Sequence, residues 1–192
     1  AQFVPPNALA LGRWTCVALL LLPLVWAGLR GRRRALLREW PDLLMLGALG
    51  MWVCGAFVYI GARSTVALNI SLIYAASPIL VVVVESRLAR ERLPAVRLVG
   101  IALCLAGVLA VLTRGEWSSL LGVRFTVGDL WIATASACWG LYSLGLKYRP
   151  TTLEPFERLC VIAIAGCLVL LPFTIAEAVL WGGPDLGDWR TW

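Results

Sequence analysis

Six long apolar runs most strongly constrain what this chain of 192 residues can fold into. The hydrocarbon core of a bilayer is about 30 Å thick, so a helix that crosses it needs about 20 predominantly apolar residues. The runs are residues 8–29, 42–62, 65–84, 97–113, 129–147 and 156–181. Because lipid offers no partners for free backbone groups, and because membrane strands would alternate polar and apolar residues, these runs must be helices. The sequence predicts an all-α integral membrane protein with six visible transmembrane helices.

The composition argues against an enzyme or a metalloprotein. The chain is 60% hydrophobic and 15% charged, and it contains no histidine, the commonest general base and metal ligand. Its six cysteines all lie in apolar runs without C-x-x-C spacing, which is typical of small apolar residues rather than of a zinc site. No nucleotide-binding loop is present, and no acidic residue lies at the centre of a span. We therefore expect no catalytic residues, no metal and no cofactor.

The basic residues indicate how the chain is oriented. Twelve of the 17 lysines and arginines fall in or beside the segments after spans one, three and five, and four fall in the alternate segments. Cytoplasmic loops carry such an excess, so the first set is predicted to be cytoplasmic. The basic run at residues 30–34 is accordingly interpreted as a cytoplasmic flank and not as a nucleic-acid patch. The expected partners are the lipid bilayer and a small-molecule solute, with no nucleic acid.

An internal match relates the first span to the last. At an offset of 149 residues, Pro6 aligns with Pro155 and Pro23 with Pro172, and LLLLP at 19–23 aligns with LVLLP at 168–172. The two spans run in opposite directions, so the repeat would be inverted, a construction found in secondary transporters. The same offset carries span five to a position upstream of residue 1. We therefore expect a helix to precede the first residue.

Several motifs resemble a known family. The first repeat carries PPNALALGR at 5–13, YIGARSTVALNISLIY at 59–74 followed by AASP, the basic turn at 85–92, and LVGIALCLAGVL at 98–109. The second carries GDL at 128–130 and ACWGLY at 137–142. These stretches resemble the EamA family of the drug/metabolite transporter superfamily, and the likeness extends over nearly the whole chain.

The resemblance implies a fold and an activity. Family members have ten helices in two inverted five-helix repeats and export metabolites or drugs, so this chain would correspond to their helices two to seven. Residues 1–115 would form the first repeat without its first helix, and residues 128–192 would begin the second. The implied location is the inner cell membrane, with multiple passes and a possible homodimer.

Arg13 is the one basic residue well inside a span. Ionisable groups within the membrane are costly, which favours a contact with substrate or a gate. A long side chain near the membrane surface can also extend its charge to the interface, and this alternative remains open.

Span three carries a second group of candidate residues. Ser71, Tyr74, Ser77 and Pro78 share one helical face near the bilayer middle. Pro78 has no N–H, so a backbone carbonyl loses its usual partner, and interrupted helices are where transporter sites are found. Alternatively, the serines permit close helix packing and the proline is a tolerated kink.

Span five offers two aromatic residues, Trp139 and Tyr142, beside a stripe of small residues. The stripe is typical of a helix contact, whereas the aromatic residues could line a cavity. In span four, Gly100, Cys104 and Gly107 are interpreted as packing or dimer contacts. The predicted substrate-binding residues are thus Arg13, Ser71, Tyr74, Ser77, Pro78, Trp139 and Tyr142, with Tyr74, Ser77, Trp139 and Tyr142 facing one cavity and Arg13 at its outer mouth.

Two functions of different classes follow from these observations. The first is a secondary transporter that exports amino acids, related metabolites or drugs by alternating access. The second is a membrane scaffold or assembly subunit without a transport pathway, which the many small-residue faces would suit.

Overall fold

A computed structural model describes residues 5–90, 93–113, 115–116 and 124–181, and these form an all-helical bundle. The helices are α1 (Pro6–Gly31), α2 (Arg33–Gly47), α3 (Cys54–Gly61), α4 (Ala67–Ala75), α5 (Ser77–Ala89), α6 (Ala95–Leu112), α7 (Val127–Tyr148) and α8 (Pro155–Trp181). A π-helical segment, Ala48–Val53, joins α2 to α3 without a break. The last part of the predicted second repeat, residues 182–192, lies outside the described residues.

The predicted spans correspond to these helices. Five helical stretches are long and apolar enough to cross a bilayer: Pro6–Gly31, Arg33–Gly61, Ala67–Leu88, Ala95–Leu112 and Pro155–Leu180. The fifth predicted span, residues 129–147, is also a helix of sufficient length, but it is less apolar than the other five. It carries Asp129 and Ser136 on a face buried against neighbouring helices.

The start predicted for the second helix was wrong. The apolar run begins at residue 42, whereas the helix begins at Arg33 and continues through Pro41. Arginine, leucine and glutamate are good helix formers, so the helix extends beyond the apolar run into the basic flank. Hydropathy marks where a helix enters lipid and does not mark where the helix itself begins.

Helix α1 and helix α8 pack side by side in opposite directions. Glu177 of α8 accepts a hydrogen bond from the backbone N–H of Asn7 at 2.9 Å. At the other end of the pair, Glu157 bonds Arg32, which directly follows α1. Each helix continues through its internal proline, Pro23 in α1 and Pro172 in α8.

Two glycines bring α2 and α8 close together. A Cβ atom added to Gly47 would lie 2.6 Å from the backbone nitrogen of Gly166, so only glycine fits there. The buried core around this contact consists mainly of apolar side chains from α1, α2, the π-helical segment and α8, including Leu46, Met51 and Ile162. Small residues at the interface are the usual means by which membrane helices approach closely.

The bundle has two chemically different ends. We call the end that contains Arg32, Asp42, Glu85, Lys147 and Glu157 the basic end, and the opposite one the far end. Ion pairs at the basic end join elements distant in sequence: Arg32 bonds Glu157 and, at 3.3 Å, Glu154; Arg149 bonds Asp42 at 2.6 Å; and Lys147 bonds Glu85. Partial burial lowers the pKa of Arg32, but hydrogen bonds and charge attraction from Glu157 and Glu154 together raise that pKa above its ordinary value.

Helix α6 lies at the edge of the bundle and has no buried residue. A Cβ atom added to Gly100 or Gly107 would meet nothing within 4 Å in the described part of the chain, and Cys104 is exposed. Within the described part of the chain these positions therefore make no close contact, and the expectation that they pack against another helix stays a prediction. Their possible use as dimer contacts stays a prediction.

Candidate functional site

A cavity of about 610 Å³ lies between α1, the α2–α3 helix, α4 and α7. Four of its ten described lining residues are aromatic, and one is charged. The lining residues are Arg13, Trp14, Val17, Gly50, Cys54, Gly55, Val58, Tyr59, Tyr74 and Trp139. We call this space the Arg13 cavity. Its size falls within the range of pockets that hold small organic molecules.

The guanidinium of Arg13 is held by aromatic residues. Its Nη1 donates a hydrogen bond to the hydroxyl of Tyr59 at 3.2 Å. The same group lies 4.9 Å from the ring centroid of Trp14 and 5.7 Å from that of Tyr59, within range of cation–π attraction. Within the described residues, Arg13 forms no ion pair with a carboxylate. The cavity therefore contains a positive charge that no acidic side chain of this part of the chain neutralises.

Gly55 explains why Arg13 can lie in this position. A Cβ atom added to Gly55 would lie 3.3 Å from the Cβ of Ala10, 3.4 Å from Nε1 of Trp14 and 3.5 Å from Nη2 of Arg13. The glycine thus lets α1 approach α3 closely enough to bring Arg13 and Trp14 against the α3 backbone. Nε1 of Trp14 is buried and has no hydrogen-bond partner among the described residues, which leaves a donor beside the cavity.

Tyr74 and Trp139 form the opposite wall. Tyr74 is half-buried at the end of α4, and Trp139 of α7 is 45% exposed. Tyr142, one turn along α7, is only 6% exposed and does not line the Arg13 cavity. Its ring lies 5.4 Å from that of Trp139, with an angle of 34° between the ring planes.

The two predicted serines make backbone contacts. The Ser77 hydroxyl donates to the carbonyl of Ser136 at 3.4 Å, which joins α5 to α7. The Ser71 hydroxyl donates to the carbonyl of Ala67 at 2.9 Å, within its own helix. Neither residue is among those that line the Arg13 cavity. Their predicted contact with solute is not tested by these bonds.

Pro78 coincides with a break in the third span. α4 ends at Ala75 and α5 begins at Ser77, so the interruption predicted from the proline is present at Ala76. Pro78 lies in the first turn of α5, where a missing N–H costs no intrahelical bond. It is exposed and, like the serines, is not a lining residue of the cavity. Of the seven predicted residues, the structure brings Arg13, Tyr74 and Trp139 together around the cavity.

A polar cluster at the far end was missed by the sequence reasoning. Asp129, 5% exposed, accepts hydrogen bonds from the Thr65 hydroxyl, from Nδ2 of Asn69 at 3.0 and 3.1 Å, and from the backbone N–H of Thr126 at 2.6 Å. The signal was available, because Thr126 and Asp129 have the spacing of a capping box at the start of α7. Thr65, in the turn before α4, and Asn69, on α4, were not predictable from spacing, because they lie about 60 residues away in sequence.

Within the described residues, no group of three or more histidine, cysteine, aspartate or glutamate side chains is arranged to hold a metal ion. The Arg13 cavity presents a cation, aromatic faces and the hydrogen-bond donor of Trp14. Such a wall can hold a small solute that has an anionic group and an apolar body.

Comparison with known proteins shows the family. The EamA-like transporter family matches residues 1–113, which is more than half of the chain. The chain belongs to the EamA-like transporter family. This confirms the resemblance seen in the motifs, and it makes the protein a multi-pass membrane protein of a transporter family.

Three relatives illustrate the range of similar proteins. An uncharacterized transporter of Bacillus subtilis (strain 168), YyaM, is 26% identical over 97% of this chain and 62% of its own length. A probable terminal-alkyne amino-acid exporter of Streptantibioticus cattleyicolor is 26% identical over 85% of this chain and 53% of its own. The inner membrane protein YtfF of Escherichia coli (strain K12) is 25% identical over 89% of this chain and 55% of its own. The chain thus spans at most about 60% of the length of these relatives, and no solved structure matches it.

Proposed function

We propose that the protein is a secondary transporter of the inner cell membrane that exports amino acids or related carboxylate-bearing metabolites by alternating access. The observation that carries the proposal is the Arg13 guanidinium, which no carboxylate of the described residues pairs with, in an aromatic-lined cavity between four helices. An arginine binds a carboxylate through paired, charge-assisted hydrogen bonds, and aromatic faces accommodate an apolar side chain. We propose no catalytic step, because the cavity offers no acid and base pair.

The choice of solute class rests on the charge inside the cavity. A cationic drug would be repelled by Arg13, and none of the lining residues is an acid that could attract it. The ammonium group of an amino acid would instead lie against an aromatic face such as that of Trp139, where a cation–π contact offsets part of the lost hydration. The similarity to the probable terminal-alkyne amino-acid exporter of Streptantibioticus cattleyicolor supports the same class of solute.

Alternating access is supported by the difference between the two ends. At the basic end, one ion pair joins the residue after α1 to α8, and two others join α2 and α5 to the end of α7. Arg13 and Tyr59 lie toward the far end. This pattern suits a state that is closed at the basic end. From such a state, the solute would be released to the far side when the far end opens. The antiparallel packing of α1 and α8 supports the inverted repeat inferred from the 149-residue offset.

Efflux of labelled amino acids from cells that express the full-length protein tests the proposal. We expect Arg13→Gln to lower export by roughly tenfold or more, since a hydrogen bond to a charged group contributes about 1.5–3 kcal/mol. Tyr74→Ala and Trp139→Ala should lower export by smaller factors. Arg87→Gln removes an exposed cation at the basic end and serves as the matched control. Unchanged export in all three cavity variants, at equal membrane levels, would refute the site.

One observation favours the second candidate, a scaffold or assembly subunit. Helix α6 has an apolar surface that no described residue of this chain covers. If this surface binds a second copy or another membrane protein, introducing Gly100→Leu and Gly107→Leu should dissociate the complex in detergent without affecting export. If the wild-type protein exports no solute and these variants lose a partner, the protein is a scaffold.

A further inference from the structure

A second, smaller cavity lies at the basic end, on the other side of an aromatic pair. It measures about 290 Å³ and is lined by residues of α7, of α8 and of the segment between them, among them Tyr142, Leu146, Thr151, Leu153, Arg158 and Ile162. We call it the Arg158 chamber. Trp139 lines the Arg13 cavity and Tyr142 lines the Arg158 chamber, and the two rings lie 5.4 Å apart. The pair therefore stands between the two spaces.

The ring of Tyr142 occupies a notch at Gly50. A Cβ atom added to Gly50 would lie 2.7 Å from both Cδ2 and Cε2 of this ring, so a larger residue would displace it. Gly50 itself lines the Arg13 cavity and lies in the π-helical segment Ala48–Val53. Such π-helical turns occur frequently at functional sites. The notch and the ring thus form a fitted contact between α7 and the second span.

Arg158 gives the chamber a guanidinium, as Arg13 does for the Arg13 cavity. Its Nη1 donates to the carbonyl of Leu146 at 2.7 Å, and its Nη2 donates to the carbonyls of Arg149 at 3.3 Å and Gly145 at 3.5 Å. These bonds hold the side chain at the end of α7, where the helix dipole favours a cation. Its Nε is buried without a partner, and within the described residues no carboxylate pairs with the guanidinium.

We propose that the Arg158 chamber is the basic-end compartment of the solute pathway and that a solute carboxylate binds there at the guanidinium of Arg158. The Tyr142 ring at Gly50 is then the partition between this chamber and the Arg13 cavity. The proposal rests on the proposed function, because it assigns a route to the same solute. A carboxylate would pass from one arginine to the other when the ring leaves its notch. Arg13 then binds the carboxylate on one side of the partition, and Arg158 binds it on the other side.

Cys54 provides a direct test of the partition, because it lines the Arg13 cavity. In the full-length protein with the other cysteines replaced, an impermeant thiol reagent applied from the basic end should label Cys54 slowly. Tyr142→Ala removes the partition, and Gly50→Ala displaces the ring from its notch. Both should raise the labelling rate by roughly two- to tenfold, the factor expected from losing one aromatic packing contact.

Two variants serve as controls for this labelling experiment. Tyr142→Phe keeps the ring, and Tyr148→Ala removes an exposed ring at the same end of α7. Neither should change the labelling rate. Gly50→Ala retains the buried Tyr142 side chain, so it tests the partition even if Tyr142→Ala does not fold. Labelling at the wild-type rate in folded Gly50→Ala would overturn the partition.

The proposed binding of a carboxylate in the Arg158 chamber is tested with two probes, phenylacetate and phenethylamine. Both have an apolar body, and they differ in the sign of their charge. A cysteine introduced as Leu146→Cys lines the chamber, and phenylacetate should slow its labelling whereas phenethylamine should not. Arg158→Gln should abolish this protection, and Arg158→Lys should retain part of it. Equal protection by both probes, or protection that survives Arg158→Gln, would overturn the assignment. Because neither labelling measurement requires transport, a failure of export alone would refute the proposed function and leave these results standing.

Discussion

Replacing Asp129 by asparagine should destabilise the bundle far more than its position at a helix end suggests. The carboxylate is 5% exposed and accepts hydrogen bonds from Thr65, Asn69 and Thr126, which join α4 and the preceding turn to the start of α7. An amide at this position keeps one acceptor oxygen and turns an NH2 group toward the donors that the carboxylate satisfied. Nδ2 of Asn69, which contacts both carboxylate oxygens, would then face another donor.

The expected cost follows from the bonds that are lost. Two hydrogen bonds to a charged acceptor disappear, each contributing about 1.5–3 kcal/mol, so we expect a loss of about 3–6 kcal/mol in the free energy of unfolding. For a chain of this size, that corresponds to a fall in Tm of roughly 6–24 °C. This fall in Tm is measured by thermal unfolding of the purified protein, monitored through tryptophan fluorescence.

Asp42→Asn is the matched control for Asp129→Asn. It makes the same chemical change in an ion pair with Arg149 whose two side chains are 49% and 32% exposed, where such a pair contributes only about 0–1 kcal/mol. We therefore expect a small change in Tm for Asp42→Asn and a large one for Asp129→Asn. Equal shifts in the two variants would show that the Asp129 cluster does not stabilise the bundle as described.

Two further predictions concern orientation and packing. If the basic end is cytoplasmic, an impermeant thiol reagent added to intact cells should label Ala62→Cys at the far end but not Arg34→Cys, and the opposite result would invert the topology. Thr15→Cys should form a disulfide with Cys167 under mild oxidation, because Oγ1 of Thr15 lies 3.6 Å from Sγ of Cys167; failure to cross-link would contradict the antiparallel packing of α1 and α8.

The sequence predicts the helices well because the physics that sets them is local. A bilayer requires about 20 apolar residues per helix, and the apolar runs could be counted directly. The interruption near Pro78 was suggested by the missing N–H of proline, but the same local rule does not distinguish Pro78 from Pro23 and Pro172, through which α1 and α8 continue. The early start of the second span at Arg33 was not predicted, because helix formation continues past the point where hydropathy falls.

The site was predictable only in part, because it depends on which helices are neighbours. Arg13 could be singled out, since a charge inside an apolar run is costly wherever that run packs. The close approach of Arg13 to α3 depends on Gly55, and the position of the Tyr142 ring depends on Gly50. Nothing in the residues around either glycine indicates its partner, because each contact joins segments distant in sequence.

A direct binding measurement tests the central claim that the Arg13 cavity binds a carboxylate. A labelled amino acid and the amine that lacks its carboxyl group would be titrated against the full-length protein in lipid nanodiscs, for the wild type, Arg13→Gln and the Arg87→Gln control. We expect the wild type and Arg87→Gln to bind the amino acid, and Arg13→Gln to bind it roughly tenfold or more weakly, as loss of a hydrogen bond between charged groups implies. Binding of the amine should be weak in every case. Amino-acid binding that is equal in the wild type and in Arg13→Gln would contradict the account.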